Sequence, residues 1–173
     1  MAGGVYLAKV PPYDCTEKGS GKSLRVSEEK LRRNFGKVHA LHVAALARHL
    51  IACREVCDGD LDLFLVLTII GERTFSPRNA PDAMSHEAFL TGKVRDVEPE
   101  AINLQSIADY SGIPRETVRR KIETLIEKGW VQRDARRFVT ATDKANESLR
   151  GLTASTLRYL REVEAALAAG EDS

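Results

Sequence analysis

One segment of the sequence, Ile107 to Arg120, constrains the fold more than any other. Leu104, Ile107 and Ala108 lie at helical spacing, and Asn103 stands where a helix N-cap accepts a backbone hydrogen bond. Gly112 follows at a point where a helix must end in a conformation that glycine tolerates best. The segment therefore predicts a short helix that ends in a tight turn.

A second helix is expected directly after this turn. Pro114 suits its first position, because the backbone N–H that proline lacks would be unpaired there, and Gly129 ends it. One face is an apolar stripe of Val118, Ile122, Leu125 and Ile126. The other face is polar, with Glu116, Arg119, Arg120, Glu123 and Thr124. This is the pattern of a DNA-binding helix-turn-helix, in which arginine can contact guanine and glutamate can accept from cytosine in the major groove.

Two short β-prone runs follow the second helix. Trp130–Arg133 and Arg137–Thr140 flank the tripeptide Asp134-Ala135-Arg136, which predicts a small β-hairpin, or wing. Arg136 and Arg137 are expected near its tip. Such a wing lies against phosphates or in the adjacent minor groove, where its cations contribute affinity and not sequence reading.

The charge distribution supports a nucleic-acid partner although the total charge does not. The chain carries only +1 overall. Between Ile113 and Arg137, however, there are eight Lys or Arg against four Asp or Glu, a local charge of +4, so the remainder sums to −3. The positive charge is thus concentrated on the predicted helix-turn-helix and wing.

The rest of the chain is expected to be mostly helical. A long helix should run from Ser27 to about Cys57, and a core helix should cover most of 60–71, where periodicity alone leaves a buried strand open. Thr142 and Asp143 cap a final helix that reaches Leu167. The predicted fold class is mainly α, a winged helix-turn-helix with a small β-hairpin wing and long N- and C-terminal dimerisation helices.

The sequence divides into five expected regions. Residues 1–26 form a flexible N-terminal tail, 27–75 the N-terminal helices, and 76–99 a connection with a short helix near 84–90. Residues 100–141 form the winged helix-turn-helix, and 142–173 the C-terminal dimerisation helix and tail. The first and last long helices carry broad apolar faces, which need a covering partner within the chain or in a second subunit.

Two known families resemble parts of this pattern. Arg115-Glu116-Thr117-Val118-Arg119-Arg120 looks like the recognition helix of the catabolite activator protein family. That resemblance implies that Arg115, Glu116 and Arg120 read bases and that Thr117 contacts phosphate. The layout is similar to the multiple-antibiotic-resistance regulator (MarR) family. This implies a homodimeric repressor on a pseudo-palindromic operator of double-stranded DNA, with release by a small-molecule effector.

The other candidate residues suggest no competing chemistry. His39, His42, His49, Cys53 and Cys57 lie on the first long helix, where a metal or redox site is the minority interpretation and packed or interfacial side chains the favoured one. The odd cysteine count and the lack of an apolar span favour a cytoplasmic protein with no membrane segment. No enzyme activity, cofactor or metal is expected. The alternative function is a winged helix that binds proteins and not DNA.

Overall fold

The computed structural model describes residues 28–74, 85–91 and 100–168 of the 173-residue chain. The described elements are, in chain order, α1 (Glu28–Arg33), α2 (Phe35–Val56), α3 (Leu61–Thr74), α4 (His86–Thr91), α5 (Leu104–Ser111), α6 (Arg115–Glu127), β1 (Val131–Arg133), β2 (Val139–Ala141), α7 (Asp143–Ser148) and α8 (Arg150–Ala168). The predicted mainly helical fold with a two-stranded hairpin wing is confirmed. The predicted tail at 1–26 lies outside the described residues.

The prediction of one helix from Ser27 to Cys57 was wrong at its N-terminal end. The helix is interrupted at Asn34, whose ψ of 14° leaves the helical range, and α2 starts at Phe35. Asparagine competes with helical backbone hydrogen bonds through its own side chain, and Gly36 just after it has a low helix propensity. The proposed cap at Ser27 lies outside the described residues.

The segment whose periodicity was ambiguous is a helix, α3, and forms the centre of the core. The Asp60 carboxylate caps it by accepting a hydrogen bond from the backbone N–H of Leu63 at 2.9 Å. Val66 and Ile70 are fully buried. On this side α3 contacts α5, α6 and β2. The helix-turn-helix is therefore built directly on α3.

The predicted final helix is divided in two. Thr142 caps α7 as expected, since its hydroxyl accepts from the N–H of Ala145 at 3.3 Å and donates to the carbonyl of Gly129 at 2.6 Å. Leu149, with ψ near 14°, then interrupts the helix, and α8 begins at Arg150. Leu149 packs against the core, and α8, which begins directly after it, packs along α2.

Within the chain, α8 packs along α2. The ring of Tyr159 stacks on that of His49 at a centroid distance of 5.4 Å, and its hydroxyl lies 3.3 Å from Nδ1 of His42. Nδ1 of His49 lies 3.1 Å from the hydroxyl of Ser155. The inner faces of α2 and α8 thus cover each other within the single chain.

The connection between α3 and α5 is described only in part. Its predicted short helix near 84–90 is present as α4, shifted to His86–Thr91, and the Ser85 hydroxyl accepts from the N–H of Ala88 at 3.1 Å. α4 contacts α7. The remaining residues of the predicted 76–99 connection lie outside the described ranges.

Candidate nucleic-acid interface

The turn between α5 and α6 has the geometry that the sequence predicted. The side chain of Asn103 caps α5 by accepting from the N–H of Ser106 at 2.9 Å. Gly112 ends the helix in the left-handed region, with φ of 72°, and its N–H donates to the carbonyl of Ala108 at 2.9 Å. Pro114 is the N-cap of α6 and not its first residue, a shift of one position.

One face of α6 is fixed to the core and the other is exposed. Val118, Ile122 and Leu125 are completely buried in the cluster formed with α3 and α5. A helix held by three such side chains has little freedom to rotate, so the direction of its outer side chains is set by the fold. This outer surface, here called the recognition face, exposes Arg115, Glu116, Arg119 and Arg120, with Thr117 half-buried at its margin.

Two glutamates hold Arg119 on the recognition face. Its guanidinium group donates to Glu116 at 2.6 Å, through Nη2, and to Glu123 at 2.5 Å, through Nη1. The hydrogen bond from Arg119 lowers the pKa of Glu116, and the two carboxylates raise the pKa of Arg119. The three side chains together carry −1, so Arg119 adds no net positive potential to this face.

Arg115 and Arg120 differ from Arg119 in having no ion pair with any other residue that the structure describes. Both side chains are exposed at the N-terminal half of α6. Their guanidinium groups are therefore available for two parallel hydrogen bonds to an outside acceptor, such as a base edge or a phosphate.

Two lysines of the predicted basic region have a structural role. Lys121 pairs with Asp60, and Lys128 pairs with Asp58 at 2.7 Å. Both aspartates belong to the turn between α2 and α3, outside the window that gave +4. Burial raises the pKa of Asp60, but the hydrogen bonds from Lys121 and from the Leu63 N–H outweigh it, so the net effect lowers that pKa. The lysines thus fasten α6 to the preceding helices.

The wing has the predicted position, but five residues, 134–138, separate its strands where the sequence predicted the three residues Asp134 to Arg136. β1 and β2 pair antiparallel, with Arg133 opposite Val139. The carboxylate of Asp134 accepts from the N–H of Phe138 at 2.8 Å, and Arg137 takes a left-handed φ of 67°. Arg136 and Arg137 are exposed in this turn, without ion pairs among the described residues.

The sequence missed two features of the wing. Ile102 adds an isolated bridge to Val139, with N···O distances of 3.1 and 2.8 Å, so the hairpin is tied to a residue two positions before α5. Arg133, exposed on β1, is a third wing cation beside Arg136 and Arg137. Its place at the end of a β-prone run next to two other arginines was the signal that could have found it.

Of the histidines and cysteines on and just after α2, His39 is exposed, His42 and His49 are half-buried against α8, and the two cysteines are buried. Cys53 and Cys57 are fully buried free thiols, and burial raises the pKa of Cys57 to about 11 and also raises that of Cys53. Such thiols stay protonated at neutral pH and are poor nucleophiles. His39 stacks on Phe35, and no group of three or more metal-ligating side chains is found in the described parts of the chain.

Residues 98–135 match the IclR helix-turn-helix domain family. This range contains α5, the turn, the recognition face and β1. The match indicates a DNA-binding transcriptional regulator of the winged helix-turn-helix type, and the matched domain is a regulatory and not an enzymatic one. It gives no specific support to the resemblance to the MarR or catabolite activator protein family. No curated protein and no solved structure matches the chain.

None of the helices in the described ranges is both long and apolar enough to cross a membrane.

Proposed function

We propose that this chain is a homodimeric, sequence-specific repressor that binds operator DNA through the recognition face and the wing. The observation that carries the proposal is the exposure of Arg115 and Arg120 and their lack of an ion pair among the described residues. Both are exposed on a helix whose opposite side is completely buried, and neither pairs with another described residue. A rigid helix that presents two unpaired guanidinium groups suits bidentate contacts to guanine in the major groove.

The other side chains of the recognition face and the wing have separate roles in this proposal. Glu116 accepts from cytosine or, with Glu123, keeps Arg119 in a fixed orientation beside the base-reading arginines. Thr117, at the margin of the face, contacts phosphate. Arg133, Arg136 and Arg137 of the wing neutralise phosphates and supply salt-dependent affinity that is independent of sequence.

The homodimer is supported by the outer face of α2. Gly36, Ala40, Val43, Ala47 and Leu50 follow one another at spacings of four and three residues, and all are exposed in the single chain. Val43 is 47% exposed, Leu50 38% and the neighbouring Ile51 57%. No charged residue lies on this face between Gly36 and Ile51. Arg54 is the next residue on this face, so two copies can pack the uncharged part of their α2 helices, Gly36 to Ile51, together, with small residues that permit close approach.

A two-fold dimer places two recognition faces on one side of the DNA. They would enter successive major grooves of a pseudo-palindromic site, roughly 34 Å apart. Repression is the simplest consequence, because a dimer on a site that overlaps a promoter excludes the polymerase without any further contact. Control by a small ligand belongs to the same proposal and is supported by a cavity between α2 and α8.

The DNA part is tested by binding measurements on duplex DNA at several salt concentrations. We expect the Arg115→Ala and Arg120→Ala variants to lose affinity for a preferred duplex while they keep most of their affinity for random duplex. The matched control is Arg161→Ala, which removes an exposed arginine of α8 that has no ion pair in the described part of the chain. If all three variants bind the preferred duplex like the wild type, base reading by Arg115 and Arg120 is contradicted. If no duplex binds, the interpretation as a protein-interaction module replaces this one.

The dimer part is tested by sedimentation. The wild-type chain should sediment at twice its mass of 19.1 kDa. Ala47→Glu should shift it to the monomer, because it places two carboxylates at the packed faces. Ala165→Glu, an exposed alanine on α8 away from the outer face of α2, is the control and should remain dimeric. A wild-type monomer at tens of micromolar would contradict the proposed dimer.

A further inference from the structure

A cavity of about 240 Å³ opens between α2 and α8, on a different side of α2 from its outer face. The space exists because small residues line it, namely Ala45, Ala52, Gly151 and Ala154. A Cβ atom added at Gly151 would meet nothing within 4 Å, so this end is open. The volume lies just below the roughly 300–1,000 Å³ of drug-sized ligand sites, which points to a smaller molecule.

The charges around the cavity are not balanced. Nη2 of Arg48 pairs with Oε2 of Glu162 at 2.6 Å across the two helices. Arg158, which also lines the cavity, has no ion pair with any residue in the described ranges. Two arginines against one glutamate leave one uncompensated positive charge. An anion would satisfy it, and the planar guanidinium group of Arg158 suits a carboxylate with two parallel hydrogen bonds.

The other lining groups distinguish an organic anion from an inorganic one. The methyl groups of Ala45, Ala52 and Ala154 form an apolar surface that a hydrocarbon body can cover. The stacked rings of Tyr159 and His49 form another wall, and the Ser155 hydroxyl, 3.1 Å from Nδ1 of His49, adds a polar group. We propose that this cavity binds a small organic carboxylate, with the carboxylate at Arg158 and the hydrocarbon part on the alanine surface.

The position of the cavity also suggests how such a ligand would act on DNA binding, and this step rests on the proposed function. One wall, α8, follows the wing through α7. The other wall, α2, leads into the turn whose Asp58 and Asp60 pair with Lys128 and Lys121 at the recognition helix. A ligand that prefers a wider separation of α2 and α8 would shift the recognition face and the wing relative to the dimer helices, and so lower operator affinity.

Binding is tested with hexanoate as the probe and backbone amide NMR spectra of the full chain as the readout. We expect hexanoate to shift the signals of Ala154, Ser155 and neighbouring cavity residues, with a dissociation constant of about 1 mM or lower. Hexanamide, the neutral analogue, and inorganic phosphate, an anion without a hydrocarbon body, should each bind about ten-fold more weakly or not at all. Equal shifts with phosphate would overturn the assignment of an organic ligand.

Three variants locate the site. Arg158→Gln should weaken hexanoate binding about ten-fold, a difference of about 1.4 kcal/mol. Ala154→Leu should abolish binding by filling the cavity. Arg161→Gln, on the same helix but outside the cavity, should bind like the wild type. Unchanged binding in Arg158→Gln and Ala154→Leu, or no binding by the folded wild type, would overturn the proposal.

A parallel DNA titration with hexanoate separates the two proposals. If hexanoate lowers the operator affinity of the wild type but not that of Ala154→Leu, both proposals are supported. If the wild type binds hexanoate at this cavity but no duplex, the ligand site stands and the proposed DNA function fails. If it binds its duplex but not hexanoate, the proposed DNA function stands and the ligand site fails.

Discussion

Lys121 on the recognition helix forms an ion pair with Asp60, the residue that caps α3. The carboxylate therefore does two things, because Oδ1 accepts from the N–H of Leu63 while Oδ2 accepts from the ammonium group. The lysine side chain is only 22% exposed. The pair consequently fixes the middle of α6 to the start of the central core helix, on the side opposite to the arginines that face solvent.

We predict that Asp60→Asn destabilises the fold by about 1 kcal/mol, since the partly exposed pair is screened by solvent. The folded-state pKa of Asp60 is lowered, so its contribution is present above the unfolded-state pKa and is lost as pH falls through the folded-state value. In urea denaturation, the free energy of unfolding should fall less between pH 7 and a pH below 4 in the variant than in the wild type. Asp58→Asn is the control, because Asp58 is 75% exposed and should change stability by less than about 0.5 kcal/mol.

Thr74 joins the core helix to the wing through a buried hydroxyl. It donates to the Ile70 carbonyl at 2.9 Å and accepts from the N–H of Ala141 at 3.0 Å. Thr74→Val leaves that N–H buried without a partner, and we expect a loss of about 1–3 kcal/mol in denaturant unfolding. Thr68→Val, an exposed threonine on the same helix that bonds only the Phe64 carbonyl, should change stability by less than about 0.5 kcal/mol. Equal losses would contradict the assigned role of Thr74.

Arg120 is expected to read one base pair in each half-site. Arg120→Ala should cost about 1–3 kcal/mol of binding to the preferred duplex and relax the preference at a single position. Arg119→Ala should behave differently, because it releases two carboxylates toward the DNA and weakens binding to all sequences alike. Competition titrations against single-base variants of the duplex measure both effects. The same loss of discrimination in both variants would show that Arg119 also reads bases.

Because Arg137 has a left-handed backbone conformation, two substitutions at this position can separate its effect on fold stability from its effect on DNA affinity. Glycine takes this φ without the cost of about 1–2 kcal/mol that other residues carry. Arg137→Gly should therefore be about 1 kcal/mol more stable than Arg137→Ala, while both lose the same DNA affinity. In each, the slope of log affinity against log salt should fall by about one unit. A difference in DNA affinity between the two would mean that wing geometry, and not charge alone, contributes.

The helix-turn-helix could be predicted well because its signals are local. Asn103, Gly112 and Pro114 each act on the backbone within a few residues, and the apolar spacing of α6 follows from its own period. The observed bounds of the wing strands differ from the predicted ones by one or two residues. Strand ends depend on which residues pair, and here Ile102 also pairs with Val139.

What the sequence could not give depends on distant contacts. The break at Leu149 falls where that side chain packs against the core, and neither Leu149 nor Asn34 forbids a helix on its own. The pairing of Lys121 with Asp60 removes a cation from the predicted basic surface across 61 positions of sequence. The pairing of Arg119 with Glu116 and Glu123 follows from the helical spacing, but the lack of an ion pair at Arg115 and Arg120 among the described residues became clear only from the structure.

The most direct test of the central claim is selection of bound sequences from a random pool of double-stranded DNA by the full chain. We predict enrichment of an inverted repeat whose half-site centres lie about one helical turn, roughly 10 base pairs, apart. The Arg115→Ala, Arg120→Ala double variant should lose this enrichment, and Arg161→Ala should keep it. Absence of any enriched sequence, or the same enrichment with both recognition-face arginines removed, would contradict the account.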